Sequence, residues 1–296
     1  GAVETPVVLR AVAIVLIVGS HIGLFRILGG SHVLLAAAGW AFARFALTPR
    51  TATSPTTAVL QNAARIAVPS ALWVLLRSTH QDDLDPANAL LVNYVIDPDR
   101  WGYWYVETLC QVLVLLALVL AVPGVRRLER ARPFGFALAV LAVTLVGRLL
   151  PDDGNEFTDR MMSPHVVLWI FALGWLTCRA TGTGQRLLTA VLVLVLVPDS
   201  FGEPLRELAI VAGLLLLLVP RLPVPQLVLG PLGAVAAASL AIYLTHYALY
   251  PELIGTLPGA VALACCIAFG VLAHRAVGGV LRAVSLARAA GQAFPA

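Results

Sequence analysis

The chain has 296 residues, of which 59% are hydrophobic and only 12% charged, with a formal net charge of +4 and a mean hydropathy of +0.89. That balance leaves too little polar surface to coat a water-soluble domain of this length, and it excludes a disordered chain. All 20 basic residues are arginines, which points to a GC-rich and hence bacterial genome; they cluster at the ends of apolar runs, a topological use that argues against nucleic acid as a partner.

Ten apolar runs follow one another, at 7–25, 32–47, 63–77, 103–122, 134–150, 164–179, 186–198, 205–219, 232–250 and 257–275. Each is near the length that crosses about 30 Å of hydrocarbon, and the shorter ones read as tilted or partly re-entrant elements. Pro123-Gly124, Pro133, Pro151, Pro164, Pro220 and Pro231 punctuate their boundaries. Pro69, inside the third run, predicts a bend. The expected fold is all-α, a polytopic transmembrane helix bundle of about ten spans that forms a single domain over 1–296.

Alternating the runs sorts the charges. Six arginines (Arg26, Arg77, Arg100, Arg148, Arg160 and Arg206) fall on the side away from the N-terminus, and the other fourteen of the 20 fall on its own side. The positive-inside rule then predicts cytoplasmic N- and C-termini in a multi-pass protein of the plasma membrane. No signal peptide is expected, because the first run is too long and lacks a small-residue cleavage site. Gly1, where an initiator Met would stand, points to a trimmed chain or a piece of a longer polypeptide. Cys110, Cys178, Cys265 and Cys266 lie in apolar runs without metal-ligand spacing or a disulfide plan. They read as small hydrophobes, and no metal is expected.

Two residues break the first run, "LRAVAIVLIVGSHIGLF". Arg10 stands at its entrance and His21 eleven residues on, a rise of roughly 16 Å. Arg10 can snorkel to the cytoplasmic interface, which puts His21 in the helix body near or just past the midplane. An ionisable group there marks function by default; the competing reading is a histidine satisfied by a backbone carbonyl or by Ser20. Glu107 in "WGYWYVETLCQ" and His246 in "SLAIYLTHYALYPE" reach a similar depth on other runs. Either the three converge on a polar cavity, or they form a structural hydrogen-bond cluster. His165 in "MMSPHVVLW" reads as a solvated interfacial residue. On the cytoplasmic side, Arg65 in "QNAARIAVPSALW" and Arg10 present planar guanidinium forks suited to phosphate, although the positive-inside bias alone also accounts for them. "RRLERAR" at 126–132 reads as a basic loop. "HQDDLD" and "PDDGNEFTD" read as solvated acidic loops without EF-hand spacing.

"RAVAIVLIVGSH", with Arg10 and His21, resembles the first-helix motif of the acyltransferase 3 family of integral membrane acyltransferases. The resemblance continues in order along almost the whole chain. "AAAGWAFARF" is similar to that family's second helix, with Ala38 where a Ser usually precedes the glycine, here Gly39. "ARIAVP" is similar to its Arg-x3-Pro element (Arg65 and Pro69), with Asn62 where a further arginine is common. "YWYVETL" resembles its Trp-rich element with a glutamate, and "SLAIYLTHY" its late Tyr-Leu-x-His element.

The resemblance implies transfer of an acyl group, often acetyl, from acyl-CoA or an acyl-carrier thioester to a hydroxyl or amine. The implied acceptors are envelope glycans, lipids or small metabolites. It also implies Arg10 and Arg65 as donor-binding residues, and His21, Glu107 and His246 as the catalytic group. In that group His21 acts as general base, and Glu107 either orients it or stabilises its protonated form, as a triad carboxylate would. A second copy of the chain is a further candidate partner. Two other functions compete: a transporter or flippase, which requires helices broken at mid-depth and a repeat relation between halves, and a non-catalytic scaffold, in which His21 is replaceable.

Overall fold

The computed structural model describes residues 1–48, 54–80, 84–93, 103–149 and 163–293, with the backbone alone at 281 and 284–293. About 80% of it is helical. In chain order the helices are α1 (Thr5–His21), α2 (Gly30–Ala41, prolonged by a π-helical turn over Phe42–Ala46), α3 (Pro55–Ser78), α4 (Trp104–Ala121), α5 (Pro123–Ala131) and α6 (Pro133–Gly147). They continue with α7 (Pro164–Arg179), α8 (Thr183–Leu196), α9 (Pro204–Leu217), α10 (Gln226–Ala237), α11 (Ser239–Leu253) and α12 (Gly259–Ala293). Proline opens α1, α3, α5, α6, α7 and α9 in the first two positions, where its missing N–H costs nothing and its fixed φ suits the helix. β1 (Ala2–Glu4) pairs antiparallel with β2 (Arg221–Pro223), setting Glu4 against Arg221. The pairing ties the N-terminus to the segment after α9, on the side where the charge pattern groups them.

Among the described residues, three helices are long and apolar enough to cross a membrane: α3, α4 and the Gly259–Val280 part of α12. The number rises to five if the bent pairs α5–α6 and α10–α11 each make one span. The outward faces support an apolar solvent around them. Val68, Leu72 and Leu76 lie one turn apart on α3, with 56%, 63% and 56% of their surface exposed, a stripe that water would disfavour.

At the centre, α7 is buried on nearly all sides. Trp169, Ile170, Leu173, Trp175 and Leu176 have no exposed surface, the pattern of a helix surrounded by other helices. It packs closest on α2, where Gly39 faces the Phe171 carbonyl and Gly174 faces the Ala36 carbonyl. Without side chains at these two points, the backbones meet directly.

Four expectations need correction. The first helix does not run to 25: it ends at His21, because Gly23 adopts φ +76°. Leu24 N–H then bonds Gly19 O at 2.9 Å and Gly23 N–H bonds Ser20 O at 3.0 Å, a Schellman end that only a residue free of Cβ strain closes easily. His21 is therefore the last helical residue and not part of the helix body. "RRLERAR" is not a loop but most of α5, which meets α6 at 118°; Arg126 donates to the free carbonyls of Leu120 (2.6 Å) and Ala121 (3.1 Å) at the end of α4. The ninth run is broken at Ala238 into α10 and α11, bent by 74°. Pro231 lies inside α10 and does not mark its boundary. Pro69 lies inside α3, as the sequence placed it. The acidic segment 151–159 and Asp82 and Asp83 lie outside the described residues, while Asp85 accepts from Ala87 N–H at 2.7 Å to open a short 3-10 turn.

Candidate functional site

Helices α1 and α11 touch at two levels. At the lower one, Arg10 donates from its guanidinium to Ser239 Oγ at 2.9 Å, where α11 begins with no side-chain cap. The arginine is held at a helix N-terminus, whose unpaired N–H groups and dipole favour anions. Above it, His21 Nδ1 and His246 Nε2 are 2.8 Å apart. His246 lies seven residues along α11 from Ser239, so the guanidinium contact sits roughly 10 Å below the histidines along that helix.

The hydrogen-bond partners fix the tautomers. Among the described residues His246 Nδ1 faces only carbonyl oxygens, Tyr243 O at 2.7 Å and Ile242 O at 3.2 Å, so it carries a proton. In the neutral ring Nε2 is then a lone pair, and the 2.8 Å bond requires His21 Nδ1–H to donate to it. That leaves His21 Nε2 without a proton of its own, 3.4 Å from the Tyr247 hydroxyl. The two rings are within 5° of parallel with centroids 5.1 Å apart, the separation of imidazoles meeting edge to edge in one plane. His246 is fully buried, whereas His21 is half-buried.

Aromatic rings wall the pair. Tyr247 lies 5.0 Å from the His21 ring and 4.2 Å from that of His246, and Tyr250 lies 6.0 Å from each. Tyr103 anchors this wall to α3 and α4. Its hydroxyl donates to Leu244 O at 3.2 Å, and it accepts from Trp73 Nε1–H at 3.2 Å and from the Arg77 guanidinium at 3.4 Å.

Of the residues singled out in the sequence, His21, His246 and Arg10 therefore come together on the α1–α11 seam. Glu107 does not join them. It is buried in α4, accepts from Gln111 Nε2 at 3.1 Å, and among the described residues has no bond to either histidine. The hydrogen-bond partner of His21 Nδ1 is His246. Arg65 is exposed on α3, which packs mainly on α4; among the described residues its guanidinium holds no hydrogen bond or ion pair. His165 is half-buried in the first turn of α7. All four cysteines are free thiols. Among the described residues, no three His, Cys, Asp or Glu side chains gather as a metal ion would require.

No protein family, no curated protein and no solved structure matches the chain.

Sequence reasoning missed Tyr247, Tyr250, Arg77 and Tyr103. Tyr243, His246, Tyr247 and Tyr250 recur at i, i+3, i+4 and i+7, one helical face, and that spacing was available in the sequence. A cavity of about 660 Å³ also adjoins Arg10's partner: Ala234 and Ala237 line it from α10, and His274, Arg275 and Arg282 from α12. Ala237 is two residues before Ser239.

Proposed function

We propose that the chain is a plasma-membrane acyltransferase of about ten helical spans with cytoplasmic termini. It moves an acyl group, in the simplest case acetyl, from acyl-CoA to a hydroxyl or amine of a glycan, lipid or small metabolite. The observation that carries this reading is the bare Nε2 of His21, held unprotonated by a neighbour that can only accept, at a half-buried helix end above a guanidinium.

Such an imidazole is a general base. The acceptor hydroxyl takes the place of the Tyr247 hydroxyl at Nε2 and gives up its proton there as its oxygen attacks the thioester carbonyl. The carbon–sulfur bond breaks, the new ester forms, and the proton on His21 passes to the departing thiolate. While His21 is cationic, its Nδ1–H points at the His246 lone pair, so a neutral histidine does the orienting that a triad carboxylate does elsewhere. Arg10 and the α11 N-terminus favour a polar stretch of the donor, and the basic cavity lined by Arg275 and Arg282 extends that positive surface for its phosphates.

Calorimetric titration of the purified protein in detergent with acetyl-CoA tests the reading. Wild type and His21→Ala are expected to bind alike, and Arg10→Ala about tenfold more weakly, the usual effect of losing one charge-assisted hydrogen bond. Well-folded protein that binds neither acyl-CoA nor an acyl-carrier thioester overturns the reading. One feature favours a second reading, a transporter or flippase: the break between α10 and α11 beside Ser239, since broken helices at a polar site mark transport paths. Substrate flux across proteoliposomes without thioester turnover is its signature.

A further inference from the structure

A second cavity, of about 580 Å³, lies where the C-terminal end of α2, the α5–α6 joint and the α7–α8 joint meet, and Arg44, Arg132 and Arg179 line it together with Thr48, Thr181 and Gln185. None of its lining residues belongs to α1, α10, α11 or α12, so it is separate from the histidine seam.

Three guanidinium groups share this wall, and among the described residues no carboxylate lines it. Orientation in a membrane asks only that positive charge lie on one side; spreading it over the loops would satisfy that rule at lower electrostatic cost than crowding three cations around one cavity. Arg179 is fixed by its 2.5 Å ion pair to Glu129, a buried carboxylate on α5 that does not reach the lining. The guanidinium groups of Arg44 and Arg132 hold no ion pair or hydrogen bond among the described residues. Gln185 turns its carbonyl oxygen away to accept from Thr181 N–H at 3.0 Å and Gly182 N–H at 3.4 Å, so its amide N–H2 is the end left for a ligand. A wall made of hydrogen-bond donors and net positive charge selects a compact oxyanion with several acceptors.

We infer that this cavity binds a phosphate group, with Arg44 and Arg132 as its direct donors and Arg179 as a fixed third cation. The phosphate belongs either to an acidic lipid headgroup or to a soluble phosphorylated compound, and the test separates the two. The thermal midpoint of the full chain is followed in neutral detergent with added inorganic pyrophosphate, and in nanodiscs of phosphatidylcholine with or without phosphatidylglycerol. Wild type, Arg44→Gln, Arg132→Gln and the double variant are compared.

The expected result is a saturable rise in wild type with one probe or both. Each single variant should need about tenfold more of it, and the double variant should show no rise. A rise with phosphatidylglycerol only assigns a lipid, a rise with pyrophosphate only assigns a soluble compound, and a rise with both assigns the phosphate group irrespective of carrier. Absence of any rise in wild type, or an equal rise in the double variant, overturns the inference. Both arginines are exposed, and the single variants decide the matter should the double variant fail to unfold cooperatively.

Discussion

Gly174→Ala is expected to abolish the native packing of α2 on α7. The added Cβ would fall on the Ala36 carbonyl, and the reciprocal Gly39→Ala would put one on the Phe171 carbonyl. Neither obstacle is a side chain that can rotate away. The helices must separate, and with them the fully buried Trp169 and Trp175 lose their close packing. A loss above about 3 kcal/mol is expected for each variant, the range of severe overpacking and backbone strain. Gly213→Ala is the contrasting case, since its Cβ would meet the Val33 side-chain methyls at 3.1 Å, which can give. Thermal unfolding of detergent-purified protein should show Gly174→Ala and Gly39→Ala with a collapsed or absent transition and Gly213→Ala near wild type. A wild-type midpoint for Gly174→Ala would contradict the packing described.

His246→Phe is expected to lower turnover by about 10²- to 10⁴-fold, the scale seen when a catalytic histidine loses the group that sets its tautomer, while acetyl-CoA binding stays at the wild-type level. Phenylalanine keeps the ring in the aromatic wall but offers His21 Nδ1–H nothing to donate to. The His21 proton is then free to settle on Nε2, where it blocks the base. His246→Gln separates this positioning role from a structural one. Its side chain can present a carbonyl oxygen near the place of the imidazole Nε2 and accept the same bond, so partial recovery of turnover is expected. A residue that only fills space would be rescued by Phe and not by Gln; that order of activities would contradict the proposed role of His246.

Much of the fold was legible in the sequence, and the exceptions have physical causes. Every apolar run carries helix, and the prolines that open α3, α5, α6, α7 and α9 stand where a helix start uses them. His21 and His246 stood out because both are ionisable residues set in apolar runs. The pairing of α1 with α11 was not legible, since helix neighbours depend on packing across 225 residues of separation. Glu107 failed to meet the histidines for the same reason: equal depth on two helices says nothing about which faces point at each other. The early end of α1 was within reach of the sequence, because Gly23 after "SHI" is a stop signal; the apolar residues beyond it concealed the stop. Pro231 read as a boundary, yet α10 runs through it and breaks at Ala238, a site with no sequence mark of its own.

The most direct test of the acyl-transfer account is release of free thiol from acetyl-CoA by purified protein, supplied with membrane lipid and glycan extract as acceptor, in wild type and His21→Ala at donor concentrations that load both equally. The account predicts thiol release and labelled acetyl on an acceptor in wild type, with His21→Ala reduced by about 10² to 10⁴, the contribution of a general base. Folded, donor-loaded wild type that turns over no faster than His21→Ala would contradict it.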